Sequence, residues 1–186
     1  MANLGDLFPA FHSESKTMIF VDGENLAIRY GKELMIRGGN PVPDVVFEPD
    51  TFVWTKRFYN QIHQRARTIR THYYTSVQGD ALKLAKVIDD LRKLNIEHPS
   101  IFQKQSGSRS KQVDITLSTD MILHAARKNC ETAVLVSGDQ DYVPLVEAVK
   151  AEGCRVFLWF ISNGLSPALE RSVDRFFSID EYLFAP

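Results

Sequence analysis

Short apolar runs alternate with amphipathic stretches along this chain, a pattern that predicts a parallel sheet clothed by helices on both faces. The first run, Met18-Ile19-Phe20-Val21, reads as a strand ending at Asp22, and a helix follows from about Glu24 to Met35. Gly38, Gly39, Pro41 and Pro43 then mark a loop. Residues from about Pro49 to Gln64 read as helical, and Thr68 to Val77 as the next strand. Leu82, Leu84, Ala85, Ile88, Leu91 and Leu94 recur at helical spacing, which predicts an amphipathic helix over Ala81–Asn95.

Further on, Ile96–Phe102 reads as a short strand, Gln103–Gln112 as a polar loop and Val113–Arg127 as a helix. The β-branched run Thr132–Ser137 has the character of a strand buried on both faces. A helix over Asp139–Glu152 is closed by Gly153, and Arg155–Phe160 is a second central strand. Ser166 with Pro167 opens a last long helix, and Phe176, Phe177 and Ile179 form an edge strand. The fold class expected is α/β: a three-layer αβα sandwich around a mainly parallel sheet. Residues 1–16 form an N-terminal tail and 17–186 a single domain.

Bulk composition narrows the function classes. The chain has 186 residues, 44% of them apolar, enough for one domain with a real core. No stretch approaches the ~20 apolar residues that span a bilayer, and the N-terminal segment lacks the basic-then-apolar order of a signal peptide. Cysteine is limited to Cys130 and Cys154, without metal-ligand spacing, which fits reduced thiols in a cytoplasmic protein. The net charge is −1, so any grip on a polyanion must come from local patches.

The candidate chemistry lies in aspartates. Asp22 ends one apolar strand, and Ser137-Gly138-Asp139-Gln140-Asp141 follows another. Open parallel sheets bind ligands beyond the carboxyl ends of their strands where the strand order reverses, so Asp22, Asp139 and Asp141 can converge there. Gly23 and Gly138 are expected to let the backbone turn sharply at those ends. Asp114 enters its helix from the polar loop. Asp120 lies six residues later, about 120° around that helix, which assigns it an outer place. Crowded carboxylates repel one another, and Mg²⁺ or Mn²⁺, with hard oxygen ligands, would relieve that and grip a phosphate. Each acid taken alone also suits a helix N-cap. Ser137 could simply bond backbone, and Asn25, one turn from Asp22, could bond a ligand or lie on the helix surface.

Two basic regions are candidate substrate contacts. Residues 51–79 contain no acid. They interleave Lys56, Arg57, Arg65, Arg67 and Arg70 with Phe52, Trp54, Phe58, Tyr59, Tyr73 and Tyr74. Those aromatics are either base-stacking faces or core. The loop from Lys104 to Lys111, with Arg109, feeds straight into Asp114 and could clamp phosphate. The five histidines share no spacing, so none is assigned to catalysis.

The runs FVDGENL, KQVDITLSTDMILHA and LVSGDQDYVPLVEAVKAEGCRV, with the later SPALERSVDRFFSI, resemble the NYN domain, including its LabA-like branch, over about Met18 to Ile179. The resemblance implies a PIN-like fold and a Mg²⁺- or Mn²⁺-dependent ribonuclease. Its catalytic aspartates would be Asp22, Asp114, Asp139 and Asp141, its metal ligands Asp22, Asp114, Asp139 and Asp120, and its substrate contacts Asn25 and Ser137; the basic loop itself adds Lys104, Arg109 and Lys111 as candidate substrate contacts. Its partner would be single-stranded RNA, with a protein partner or a second copy also open. The sequence departs from the family pattern before Val113: Lys111 is displaced by one position and Gln112 fills the gap.

Two other classes compete. A binding module with the same fold and acids but without turnover would retain RNA or a protein partner. A phosphatase or receiver domain fits less well. The late strand runs into Ile161-Ser162-Asn163 without a lysine, and Glu24 stands two residues after the first-strand acid where such a phosphatase carries Asp.

Overall fold

The computed structural model describes residues 15–58, 67–104 and 111–184. Strand β1 (Lys16–Asp22) leads into helix α1 (Gly23–Arg37), which Gly38 ends in a left-handed conformation at φ 62°. A small antiparallel pair follows, β2 (Val45–Glu48) and β3 (Phe52–Thr55), and then the long strand β4 (Arg67–Val77). Helix α2 (Ala81–Lys93), β5 (His98–Gln103), α3 (Lys111–Ala126) and β6 (Thr132–Val136) come next. A 3₁₀ turn (Gln140–Tyr142), α4 (Val143–Ala151), β7 (Arg155–Phe160), α5 (Pro167–Ser172), β8 (Arg175–Ser178) and α6 (Asp180–Leu183) complete the order.

The main sheet runs β5-β4-β1-β6-β7-β8, and every pairing in it is parallel. Parallel strands are joined by crossovers that lay helices on the faces, so both faces are buried. Alternation along β1 shows the layers. Ile19 and Val21 join α1 and α2 in one core, while Met18 and Phe20 join α3, α4 and α5 in the other. This is the αβα sandwich that the alternating pattern predicts.

Three stretches differ from the sequence reading. The helix expected over Pro49–Gln64 is strand β3 in its first part, with helical residues only from Lys56 to Phe58, and residues 59–64 lie outside the described ones. The reason is local. Asp50 turns the chain at φ 54°, and all four residues of Phe52–Thr55 are buried, a continuous run that suits a covered strand and not a one-faced helix. The long helix opening at Ser166 stops after Ser172. There Asp174 stitches the chain to β7, donating its N–H to the Val156 carbonyl at 2.9 Å and accepting the Val156 N–H at 2.7 Å. The helix expected from Asp139 begins as a 3₁₀ turn, and α-helix proper starts at Val143 with Pro144 in its first turn.

Most aromatics of the basic segment belong to the core. Phe52, Trp54, Phe58, Tyr73 and Tyr74 are buried, and Tyr73 pins the small hairpin to β4 by accepting the Val53 N–H and donating to its carbonyl. Among its cations, Arg57 pairs with Asp44 at 2.7 Å, while Tyr59, Arg65 and the Arg67 side chain lie outside the described residues.

Candidate active site

The strand order reverses at β1, whose two neighbours are reached by crossovers to opposite sides. The carboxyl ends of β1 and β6 therefore bound the crevice where doubly wound sheets bind ligands. Asp22 closes β1, and Ser137, Gly138 and Asp139 follow β6. The first turn of α1 adds Glu24 and Asn25, and the first turn of α3 adds Val113 and Asp114. Together Asp22, Glu24, Asn25, Ile28, Val113, Asp114 and Asp139 line a cleft of about 130 Å³.

Asp22 is 4% exposed and held on both oxygens. Oδ1 accepts the Asn25 N–H at 3.1 Å, the helix-cap bond expected of an acid in this place. Oδ2 accepts from Ser137 Oγ at 3.2 Å and lies 3.1 Å from Tyr142 Oη. The same phenol lies 3.1 Å from Asp114 Oδ1. A phenol has one hydrogen, so it satisfies one carboxylate, and the other close oxygen pair needs a proton or a cation between them. Burial pushes the Asp22 carboxyl up to about 7, with the Asp114 charge adding to the rise and the bonds from Asn25, Tyr142 and Ser137 opposing it. Burial also raises Asp114, helped by the charges of Asp139, Glu24 and Asp141 and opposed by its bond to Tyr142.

Close approach, not an unusual backbone angle, accounts for the two glycines. Neither Gly23 nor Gly138 has positive φ. A Cβ on Gly23 would lie 2.1 Å from the Tyr73 ring, and one on Gly138 would lie 2.2 Å from the Phe160 ring. Asn25 bolts the two strand ends together, its Oδ1 accepting the Gly138 N–H at 3.0 Å. Asp139 accepts the Asp141 N–H at 3.0 Å, so it caps the following turn while lining the cleft.

A family model for the NYN domain matches residues 16–180. The chain belongs to the NYN domain family. NYN domains lie within the PIN-like superfamily and are generally nucleases, and this chain has their nuclease-like α/β fold. Among solved structures, the NYN chain is similar to a protein of unknown function, VPA0982 from Vibrio parahaemolyticus RIMD 2210633. The TM-score is 0.69 at 22% identity, over 93% of this chain and 98% of that one. No curated protein matches the chain.

The residues singled out from the sequence of this NYN domain fall into three groups. Asp22, Asp114, Asp139 and Asn25 meet in the cleft. Lys104 stands beside it, its Nζ 2.5 Å from Glu24 Oε1. Ser137 is fully buried behind Asp22, so it touches the carboxylate and not the opening. Asp141 is exposed and does not line the cleft, although its charge reaches Asp114. Asp120 points elsewhere, accepting a 2.8 Å bond from Tyr74 Oη, and takes no part in the cleft lining. Lys111 is exposed at the start of α3, and Arg109 lies outside the described residues.

PIN-like nucleases typically use divalent metals. Among the described residues, no group of three or more His, Cys, Asp or Glu side chains is arranged to hold a metal ion. The donors nonetheless suit a hard cation, being carboxylate and amide oxygens with no thiol or imidazole among them. Mg²⁺ keeps several waters and is usually held by one or two carboxylates with substrate phosphate completing the shell. Asp22 and Asp114, with one hydroxyl proton for two carboxylates, are the residues that would hold such an ion; among the described residues a cage of several aspartates is not assembled. Two groups escape the sequence reading, Glu24 and Tyr142. Glu24 directly follows Gly23, and Tyr142 directly follows Asp141, so both stand within the motifs that drew attention to their neighbours.

No helix among the described residues is long and apolar enough to cross a membrane.

Proposed function

We propose that this NYN domain hydrolyses phosphodiester bonds in single-stranded RNA with Mg²⁺ or Mn²⁺ in the cleft. The observation that carries this reading is the buried Asp22 carboxylate sharing one tyrosine hydroxyl with Asp114 at the switch point of the sheet. Asp22 and Asp114 would hold the cation, with Asp139 and Glu24 lining the same cleft. When bound, the ion supplies Lewis acidity toward a water and a phosphate oxygen.

The protein's own part is positioning. Ser137 and Asn25 fix the Asp22 carboxylate by direct bonds, so its orientation does not depend on substrate. Asp139 is held by its bond to the Asp141 N–H. Lys104, at the cleft beside Glu24, and Lys111, at the start of α3, supply positive charge for the strand's phosphates against an acidic floor.

A second reading is favoured by the coordination of Asp22: its oxygens already bond protein donors, and among the described residues no three-ligand group is preassembled. A domain of this kind could retain RNA without cutting it. The test is cleavage of a fluorescently labelled RNA strand in Mg²⁺, in Mn²⁺ and in chelator. Cleavage that needs the metal and falls at least ~100-fold in Asp22→Asn supports the nuclease reading. RNA held on a filter yet intact under every divalent ion supports the binding reading.

A further inference from the structure

Beyond the cleft, α1 carries a second concavity. Glu24 and Asn25, then Ile28, then Gly31 and Lys32, then Met35 recur at helical spacing, so they form one stripe along the helix. The near end of that stripe lines the acid cleft, and its far part lines a larger groove of about 510 Å³ between α1, the loop after it and β2. Ile28 lines both, so the two share a wall. From Asn25 to Lys32 the helix rises about 10 Å, a reach within one strand of nucleic acid.

The groove has the parts a nucleoside needs. The Phe47 ring stands over Gly31, so close that a Cβ there would lie 3.2 Å from its Cζ, and it is braced edge-on against Tyr30 at 4.9 Å. A half-buried, braced ring gives a face for stacking that tolerates any base. Lys32 is exposed and forms no ion pair among the described residues, leaving its charge for a phosphate. Met35 is 79% exposed at the far end, apolar surface of the kind that marks a contact site.

We propose that this groove is a nucleoside-binding subsite, holding one base and ribose of the RNA strand whose neighbouring phosphate lies in the acid cleft. The proposal rests on the nuclease reading for its substrate class, but not on turnover. Gly31 lets the Phe47 ring seat against α1, Lys32 grips the phosphate on the outer side, and the acidic cleft holds the next linkage at the shared Ile28 wall. Binding at the groove would then set the position of the strand relative to the metal.

The test reads binding and cutting separately. Fluorescence anisotropy of a labelled oligouridylate is measured in Mg²⁺, in an Asp139→Asn background that is not expected to cut. Gly39→Leu fills the groove, since a Cβ there meets nothing within 4 Å, and Lys32→Glu reverses its cation. Each is expected to weaken binding about tenfold, with unchanged thermal unfolding, because one stacked base or one phosphate contact is removed. In the parent protein the same two changes are expected to raise KM for cleavage and leave kcat unaltered. RNA affinity untouched by both changes, or no RNA binding at all, overturns the subsite. So does a concentration-dependent dimer that Met35→Glu abolishes, since a second copy would then fill the groove. RNA bound through the groove but never cut leaves the subsite standing and removes only the nuclease reading.

Discussion

Asp22 puts a measurable signature on the molecule. Burial pushes its carboxyl up to about 7 in the folded chain, against an ordinary carboxylate value of 3.8 when unfolded. The folded state therefore holds this proton more tightly. Folding gains full benefit from it below the unfolded value and loses that benefit progressively as pH rises toward about 7. A shift of this size corresponds to roughly 4 kcal/mol at most. Chelated protein is expected to unfold at a higher temperature at pH 5 than at pH 8, and Asp22→Asn should flatten that slope. Mg²⁺ must displace the proton at low pH, so it should raise the unfolding temperature more at pH 8 than at pH 6. Equal increments at both pH values would argue against Asp22 as a ligand. Behind it, Ser137→Ala removes a donor to a buried carboxylate and an acceptor for the Asp139 N–H. Urea unfolding should report a loss of about 1–3 kcal/mol. Gly138→Ala, with its Cβ driven against Phe160, should cost about 1–3 kcal/mol in the same measurement.

At the scale of elements, the small hairpin is held to the main sheet through Tyr73 Oη, which both donates to and accepts from the backbone of Val53. Tyr73→Phe keeps the ring and leaves that N–H and carbonyl unpaired, so it should destabilise the fold by about 1–3 kcal/mol without altering the far end of the sheet. Proteolysis should then cut first near the hairpin. The strands with buried, apolar runs were legible from sequence because a parallel strand is apolar on both sides: Thr132–Val136 and Arg155–Phe160 need no partner to be read. The β3 segment was not, since its four residues Phe52–Thr55 run straight on into helical Lys56–Phe58, and their burial depends on the hairpin and on Tyr73. For the cleft, the acids at strand ends could be found by their position after apolar runs. Glu24 and Tyr142 could not be assigned, because their parts follow from contacts across the fold: Glu24 with Lys104 and Ser76, and Tyr142 with two carboxylates.

For the whole molecule, the net charge of −1 means that the proposed hold on RNA would rest on the local arrangement of lysines at the cleft and groove. The sheet order carries a different consequence, one for how the chain reaches its native state. No pair in the main sheet is antiparallel, so no two of its strands can zip from a short turn. β1, the first element described, finds Thr68 opposite its Thr17 on one side and Thr132 on the other. Such distant partners impose loop closure before any reward, and refolding is expected on the millisecond-to-second scale, followed by stopped-flow fluorescence of the buried Trp54 and Trp159. During synthesis, the apolar row Met18–Val21 would wait with an open edge until β4 and β6 had emerged, and a chain halted before Thr132 should aggregate more readily than the finished one.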